Sequence, residues 1–290
     1  TAGLVLGSTA PTLAQAPKIS GDVIKIGFIT DGSSVYADID GPAGADAIRA
    51  AVADAGGQIN GKKIEVLYAD HQNKPDIASA RAREWIDQQG LDLLIGGTNS
   101  STALAMAKVA TEKKIPYVVI GAGSSRLTNE DCSPYIVHYA YDTVALARGT
   151  GSAVVAQGGK SWFFLTADYA FGHALEADTS AVVKAAGGTV VGSIRHPLAA
   201  SDFSSFLLQA QASKAQILGM ANAGGDFINA TKAAAEFGVT KTMKIAGLLV
   251  FINDIHTLGL AATQGLYLTD GWYWDQNNES RAWASKFEQK

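Results

Sequence analysis

The 290-residue chain holds a single cysteine, Cys132. That excludes an internal disulfide and a cysteine-rich metal site, and a lone cysteine reads most simply as a small buried side chain. Charge is also sparse, with 17% charged residues and a net charge of −4. No basic cluster stands out, so nucleic acid and anionic membrane surfaces are not expected partners. No interior apolar run is long enough to span a bilayer.

The fingerprints of cofactor chemistry are missing as well. The turn after the first predicted strand reads Thr30-Asp31-Gly32-Ser33-Ser34-Val35-Tyr36, without G-x-G-x-x-G. Gly121-Ala122-Gly123 is a fragment of that motif in another place. There is no phosphate-binding loop, no H-E-x-x-H and no G-x-S-x-G. The histidines at 71, 138, 173, 196 and 256 lack metal-ligand spacing and read as surface or loop-end residues. Asp70-His71 reads as turn chemistry rather than a catalytic pair. No cofactor and no metal are expected.

What is present is a globular composition, 47% hydrophobic, and length for two domains. Residues 1–16, TAGLVLGSTAPTLAQA, are small, apolar and uncharged. They read as the tail of a secretory signal, with Ala14 a plausible cleavage point ahead of Pro17.

From Val23 the pattern alternates between strand and helix. Residues 91–97 form an apolar run closed by Gly96-Gly97, as expected for a buried parallel strand. Residues 102–114 predict a helix with Ala103, Ala107 and Ala110 on a close-packing face. The polar tetrad Thr98-Asn99-Ser100-Ser101 lies between the two, and the next strand ends in Gly121-Ala122-Gly123-Ser124-Ser125. Such loops either cap helices and form turns, or use the amides of a helix start to hold an anion. Helices are also predicted at 42–55, 75–90, 143–156, 172–186, 202–212, 225–237 and 252–260. Strands are predicted at 23–30, 63–69, 161–166, 189–195, 215–220 and 243–246.

Two successive alternating units imply an α/β fold of two doubly wound parallel-sheet lobes with a ligand cleft between them. The expected boundaries are 22–139 for the first lobe and 140–266 for the second, with 267–290 crossing back to the first. Polar or aromatic residues recur at strand C-terminal ends, where open parallel sheets bind ligands. The first unit offers Ser33, Ser34 and Tyr36, then 98–101 and 122–125. The second offers Asp168 to Phe171, Asn222 to Asp226, and Leu248, Leu249 and Phe251. Each aromatic serves either the cleft or local packing.

Together these pieces resemble the periplasmic substrate-binding proteins of ABC importers, type I, of the branched-chain amino-acid-binding (leucine/isoleucine/valine-binding-like) family. The matching residues are Ile24 to Gly27, the Tyr36 loop with Gly41 and Gly44, Gly96 with Ser100-Ser101, and Ile115-Pro116 with Gly121 to Ser125. Asp168 with Phe171-Gly172, Asp202 to Ser204 and Gly265-Leu266 continue the match. The resemblance implies a monomeric, non-enzymatic protein of the periplasm that delivers a small carboxylate to a membrane permease. It implies contacts to the ligand carboxylate from Thr98, Asn99, Ser100, Ser101, Ala122, Gly123 and Ser124. Tyr36 would act as a lid, Tyr169 and Phe171 would face the ligand from the second lobe, and Ala223 and Asp226 would lie near it. The family continues past the second crossing, so the chain reads as a fragment at both ends.

Amino-acid binders of the family place an acid after the strand matching 243–246, to meet the ligand ammonium. Here that loop reads Gly247-Leu248-Leu249-Val250. An unpaired buried ammonium is costly, which argues against a plain α-amino acid unless Asp226 supplies the charge. The stretches 69–85 and 127–143 resemble the subgroup that binds aromatic carboxylates. A benzoate- or cinnamate-type acid is therefore favoured, with branched-chain amino acids or amides as the alternative. An α/β reductase is the alternative from another class.

Overall fold

A computed structural model describes residues 21–288, so the leader expected at 1–16 lies outside the described residues. In chain order the first lobe contains β1 (Val23–Thr30), α1 (Ala37–Asp40), α2 (Pro42–Asp54), β2 (Gln58–Ile59), β3 (Lys62–Asp70), α3 (Pro75–Gln89), β4 (Leu93–Gly96), α4 (Ser100–Lys113), β5 (Tyr117–Val119) and β6 (Ile136–His138). The second contains α5 (Thr143–Leu146), α6 (Ser152–Ala156), β7 (Ser161–Ala167), α7 (Ala170–Ala185), β8 (Thr189–His196), α8 (Ser204–Ala212), β9 (Ile217–Ala221), α9 (Gly224–Glu236), β10 (Lys244–Gly247), α10 (Ile252–Leu258) and β11 (Tyr267–Leu268). Helix α11 (Asn278–Glu288) follows, and its Lys286 pairs with Asp54 at the end of α2.

The strand order is β2-β3-β1-β4-β5-β6 in one sheet and β11-β10-β9-β7-β8 in the other. All pairings are parallel except that of the short hairpin strand β2 with β3. Each sheet therefore reverses its winding direction once, between β1 and β4 and between β7 and β9. The connections from neighbouring strands leave to opposite faces at that point and open a crevice at the carboxyl ends.

Burial follows the strand period of two. In β7, Trp162 and Phe164 pack on one face with Leu175 and Ile217, while Phe163 and Leu165 pack on the other with Leu207 and Met220. The first lobe's core joins Trp85, Leu94, Met106 and Tyr117. Pro75 at the first turn of α3 and Gly90 at its left-handed end (φ 67°) fix the helix as the sequence predicts.

Several expectations need correction. Ser100 and Ser101 belong to the first turn of α4 rather than to a loop ahead of it, because Asn99 is the capping residue. Cys132 is exposed, not buried. His71 and His196 lie at strand ends but are fully buried. The helix predicted at 143–156 is present, with a π turn at Ala147–Gly151 between α5 and α6.

Candidate functional site

The four loops at the two winding reversals face one another. Residues 31–36 follow β1, 97–99 follow β4, 168–169 follow β7, and 222–223 follow β9. With the loop after β5 and Leu249 they border a nearly collapsed cavity of about 10 Å³, room for about one water until the lobes part. Its walls are Tyr36, Thr98, Asn99, Ser100, Gly121, Ala122, Gly123, Tyr169, Phe171, Ala223 and Leu249. No charged side chain is among them.

The lobes are closed on each other. The hydroxyls of Tyr36 and Tyr169 lie 2.6 Å apart, and Gly225 N–H donates to Val35 O at 3.0 Å. Ala170 N–H reaches Ser101 Oγ at 3.4 Å, and Asn253 Nδ2 donates to Asp38 O at 3.0 Å. Tyr36 comes from the first lobe yet packs in the second lobe's apolar cluster, with Val35 and Ile39 against it. Gly224 makes this approach feasible: its φ is +56°, and a Cβ there would lie 2.5 Å from Val35 O. Burial raises both phenols, so both hydroxyls stay protonated.

Position by position, local chemistry explains the walls. Asp31 is buried and gathers the N–H groups of Ser34 (3.0 Å) and Tyr36 (2.9 Å), which turns the loop and aims Tyr36 at the cleft. Asn73 Nδ2 donates to Asp31 at 2.6 Å, while Asn73 Oδ1 accepts from Asn99 Nδ2 at 2.9 Å. Asn99 Oδ1 caps α4 by accepting from Thr102 N–H at 3.1 Å. Its side chain thus serves the helix start, and its backbone, at φ 98°, forms the wall. His71 completes the support. Its Nδ1 accepts from Asn73 N–H, so the proton sits on Nε2 and is given to Thr102 Oγ1 at 3.0 Å. Burial lowers its pKa to about 4, so the ring is neutral.

Two buried hydroxyls, Thr98 Oγ1 at the floor and Ser124 Oγ behind it, have no partner among the described residues. Ser100 Oγ accepts from Ser124 N–H at 3.1 Å and holds the two floor loops together. The starts of α4, α7 and α9 all meet at the cavity, which brings the positive ends of three helix dipoles to a wall without a cationic side chain. Tyr169 and Phe171 supply a tilted aromatic pair with centroids 6.1 Å apart.

The structure thus brings together Tyr36, Thr98, Asn99, Ser100, Ala122, Gly123, Tyr169, Phe171 and Ala223. It leaves four predicted residues off the cavity wall. Ser101 bridges to α7, and Ser124 lies behind Ser100. Leu248 is fully buried in the second lobe's core, and its neighbour Leu249 reaches the cavity instead. Asp226 is fully buried, and its Oδ2 accepts from Ala199 N–H at 3.0 Å. Burial pushes that carboxyl up to about 6 against the hydrogen bonds from Ala199 and Ala200. Gly121 lines the wall without having been proposed as a contact, and Leu249, offered with Leu248 and Phe251 for the cleft loops, reaches it where Leu248 was expected. Leu249 stood in the inspected loop, but the choice between adjacent leucines depends on a chain direction that composition does not encode.

Two winding reversals facing across a cleft define a two-lobed α/β protein with its candidate site between the lobes. The model of the periplasmic binding protein family matches residues 23–290, and the chain belongs to that family. A periplasmic binding protein from Burkholderia mallei, solved by crystallography, is 70% identical with a TM-score of 0.92, over 93% of this chain and 72% of that one. A solute-binding protein of an ABC transporter from Rhodopseudomonas palustris BisB5, in complex with 3,4-dihydroxybenzoic acid, is 28% identical with a TM-score of 0.81, over 93% and 74%. The Leu/Ile/Val-binding protein homolog 6 of Brucella abortus is 30% identical over 196 residues, 67% of this chain and 50% of that protein. The chain spans about half the length of the curated relatives it matches.

Proposed function

We propose that this chain is the solute-binding part of an ABC importer, that it works in the periplasm, and that it presents an aromatic carboxylate to a membrane permease. It acts by binding and closure, without turnover. The observation that carries the aromatic choice is the cavity wall itself: three helix starts and the unpartnered hydroxyl of Thr98 lie beside the rings of Tyr36, Tyr169 and Phe171, and no carboxylate side chain is on the wall. A ligand anion gains from the helix starts, and a flat ring gains from Tyr169 and Phe171. An α-ammonium has no acid to meet, since Asp226 is turned to Ala199 and Ala200. The bound dihydroxybenzoic acid of the Rhodopseudomonas relative supports the same class.

The second reading is a branched-chain amino acid. The name of the Brucella relatives favours it, and so does Asp226 Oδ1, which is buried without a partner. A thermal-shift screen separates the two. Aromatic acids should raise the melting temperature while leucine and valine leave it unchanged, because only a ligand held by the folded state stabilises it. A leucine shift that Asp226→Ala abolishes overturns the aromatic reading.

A further inference from the structure

The carboxyl of Asp40, at the end of α1, is threaded under the cavity floor. Its Oδ1 accepts from Thr30 Oγ1 at 2.7 Å, and its Oδ2 accepts from Thr98 N–H at 2.7 Å. Glycines clear its path: a Cβ on Gly97 would come 2.5 Å from Oδ2, and one on Gly121 2.7 Å. Thr98 and Gly121 both line the ligand cavity, so Asp40 stands directly behind the wall that meets the ligand's carboxylate. Among the described residues no Lys or Arg forms an ion pair with it.

The geometry points to Asp40 as the positioning residue of the carboxylate loop and as the group that takes up a proton from solvent when a ligand carboxylate arrives. This rests on the carboxylate reading above and extends it.

Two carboxylates close together raise each other's affinity for protons, and Asp40 also borders the open space beside His138, Tyr141 and Trp272, from which a proton can come. Asp40 is already pushed up to about 6, chiefly by burial, despite its two hydrogen bonds. A ligand anion beyond Thr98 pushes it further. The surroundings accept the proton without rearrangement. With Oδ1 protonated, the Thr30 hydroxyl changes from donor to acceptor, and Oδ2 keeps the Thr98 N–H. The other groups facing Asp40 do not neutralise it. Asp31, one strand end away, adds negative charge. Tyr68 and Tyr141 are held neutral by burial. His138 is tied to Ala122 O through Nε2, and Asp270, across the hinge side, is itself raised by burial.

The sign follows from linkage. Below the pKa of the free state Asp40 is protonated with or without ligand, and affinity does not change with pH. Above it binding must draw in a proton, and affinity falls. A coupling of about one pKa unit gives about a tenfold fall.

Benzoate is the probe, because its own carboxyl titrates well below the range from pH 5.5 to 8. The affinity of the full chain should fall about tenfold across that range. Asp40→Asn, whose amide mimics the protonated acid toward Thr30 and Thr98, should bind with a flat profile. Calorimetry of the unmutated chain in phosphate and in Tris should show net proton uptake near pH 7. A slope that survives Asp40→Asn, or binding without proton uptake, overturns the inference. Binding of benzoate with a flat profile in the unmutated chain overturns it alone, whereas no benzoate binding at any pH removes the carboxylate reading with it.

Discussion

The hydroxyl of Tyr36 in the first lobe lies 2.6 Å from that of Tyr169 in the second, joining residues 133 positions apart across the cleft. Tyr36 is fully buried and Tyr169 partly so, and loss of one hydroxyl leaves the other without this partner. Tyr169→Phe should weaken benzoate binding by about 1–3 kcal/mol, the cost of an unsatisfied buried hydroxyl. Tyr36→Phe should do the same. The double variant should be no weaker than either single one, because no hydroxyl is then stranded. Additive losses in a stopped-flow measurement of the release rate would show that the pair does not act as a latch.

Gly224→Ala tests closure separately from the latch. The new methyl would meet Val35 O and crowd the Tyr36 ring, both contributed by the first lobe across the cleft. The melting of the lobes should change little beyond the strain of a left-handed residue, about 1 kcal/mol. Small-angle scattering should report a more open molecule, and ligand affinity should drop. An unchanged scattering profile with unchanged affinity contradicts the assignment of Gly224 to the interlobe contact.

Asn99 combines a left-handed backbone with a helix cap, at φ 98° and with Oδ1 on Thr102 N–H. Asn99→Ala should cost roughly 1–2 kcal/mol of stability through the lost cap, with strain added. Asn99→Gly should cost less, since glycine tolerates both the dihedral and the cap position. Denaturant unfolding decides the order; an alanine variant as stable as the glycine one contradicts it.

Much of the architecture was legible because each strand is a short apolar run and each helix carries its own start and stop residues. Pro75 and Gly90 delimit α3 in the sequence as they do in space. The site was legible to the level of loops, since strand ends bear the polar and aromatic residues. Side-chain direction within those loops was not. Asn99 turns back to cap α4, Leu249 rather than Leu248 faces the cavity, and Asp226 folds away toward Ala199. Asp40 carries no local signal at all. Its role depends on room left by Gly97 and Gly121, which are distant in sequence and adjacent only after β4 and β5 pair with one another. His71 and Cys132 were misplaced for a similar reason, as burial at a loop end is set by what packs over it.

His71 gives a pH prediction. Its folded pKa, about 4, lies below the unfolded value of about 6.5, because burial opposes the charged ring. Between those values the unfolded chain binds a proton that the folded chain does not, so this group's contribution falls as pH drops from 6.5 toward 4. The total change is roughly 3 kcal/mol. In His71→Asn that contribution is absent, and the amide oxygen can still accept from Asn73 N–H. The stability advantage of the unmutated chain over the variant should therefore shrink as pH falls from 7 to 5. A constant difference between the two unfolding curves contradicts a neutral buried His71.

Calorimetric titration of the chain with benzoate and with leucine, at one pH and side by side, is the most direct measurement. Benzoate should bind one to one, and leucine should give no heat of binding. Saturating leucine binding that is lost in Asp226→Ala, with none for benzoate, would contradict the aromatic-carboxylate assignment and place the ammonium partner at Asp226.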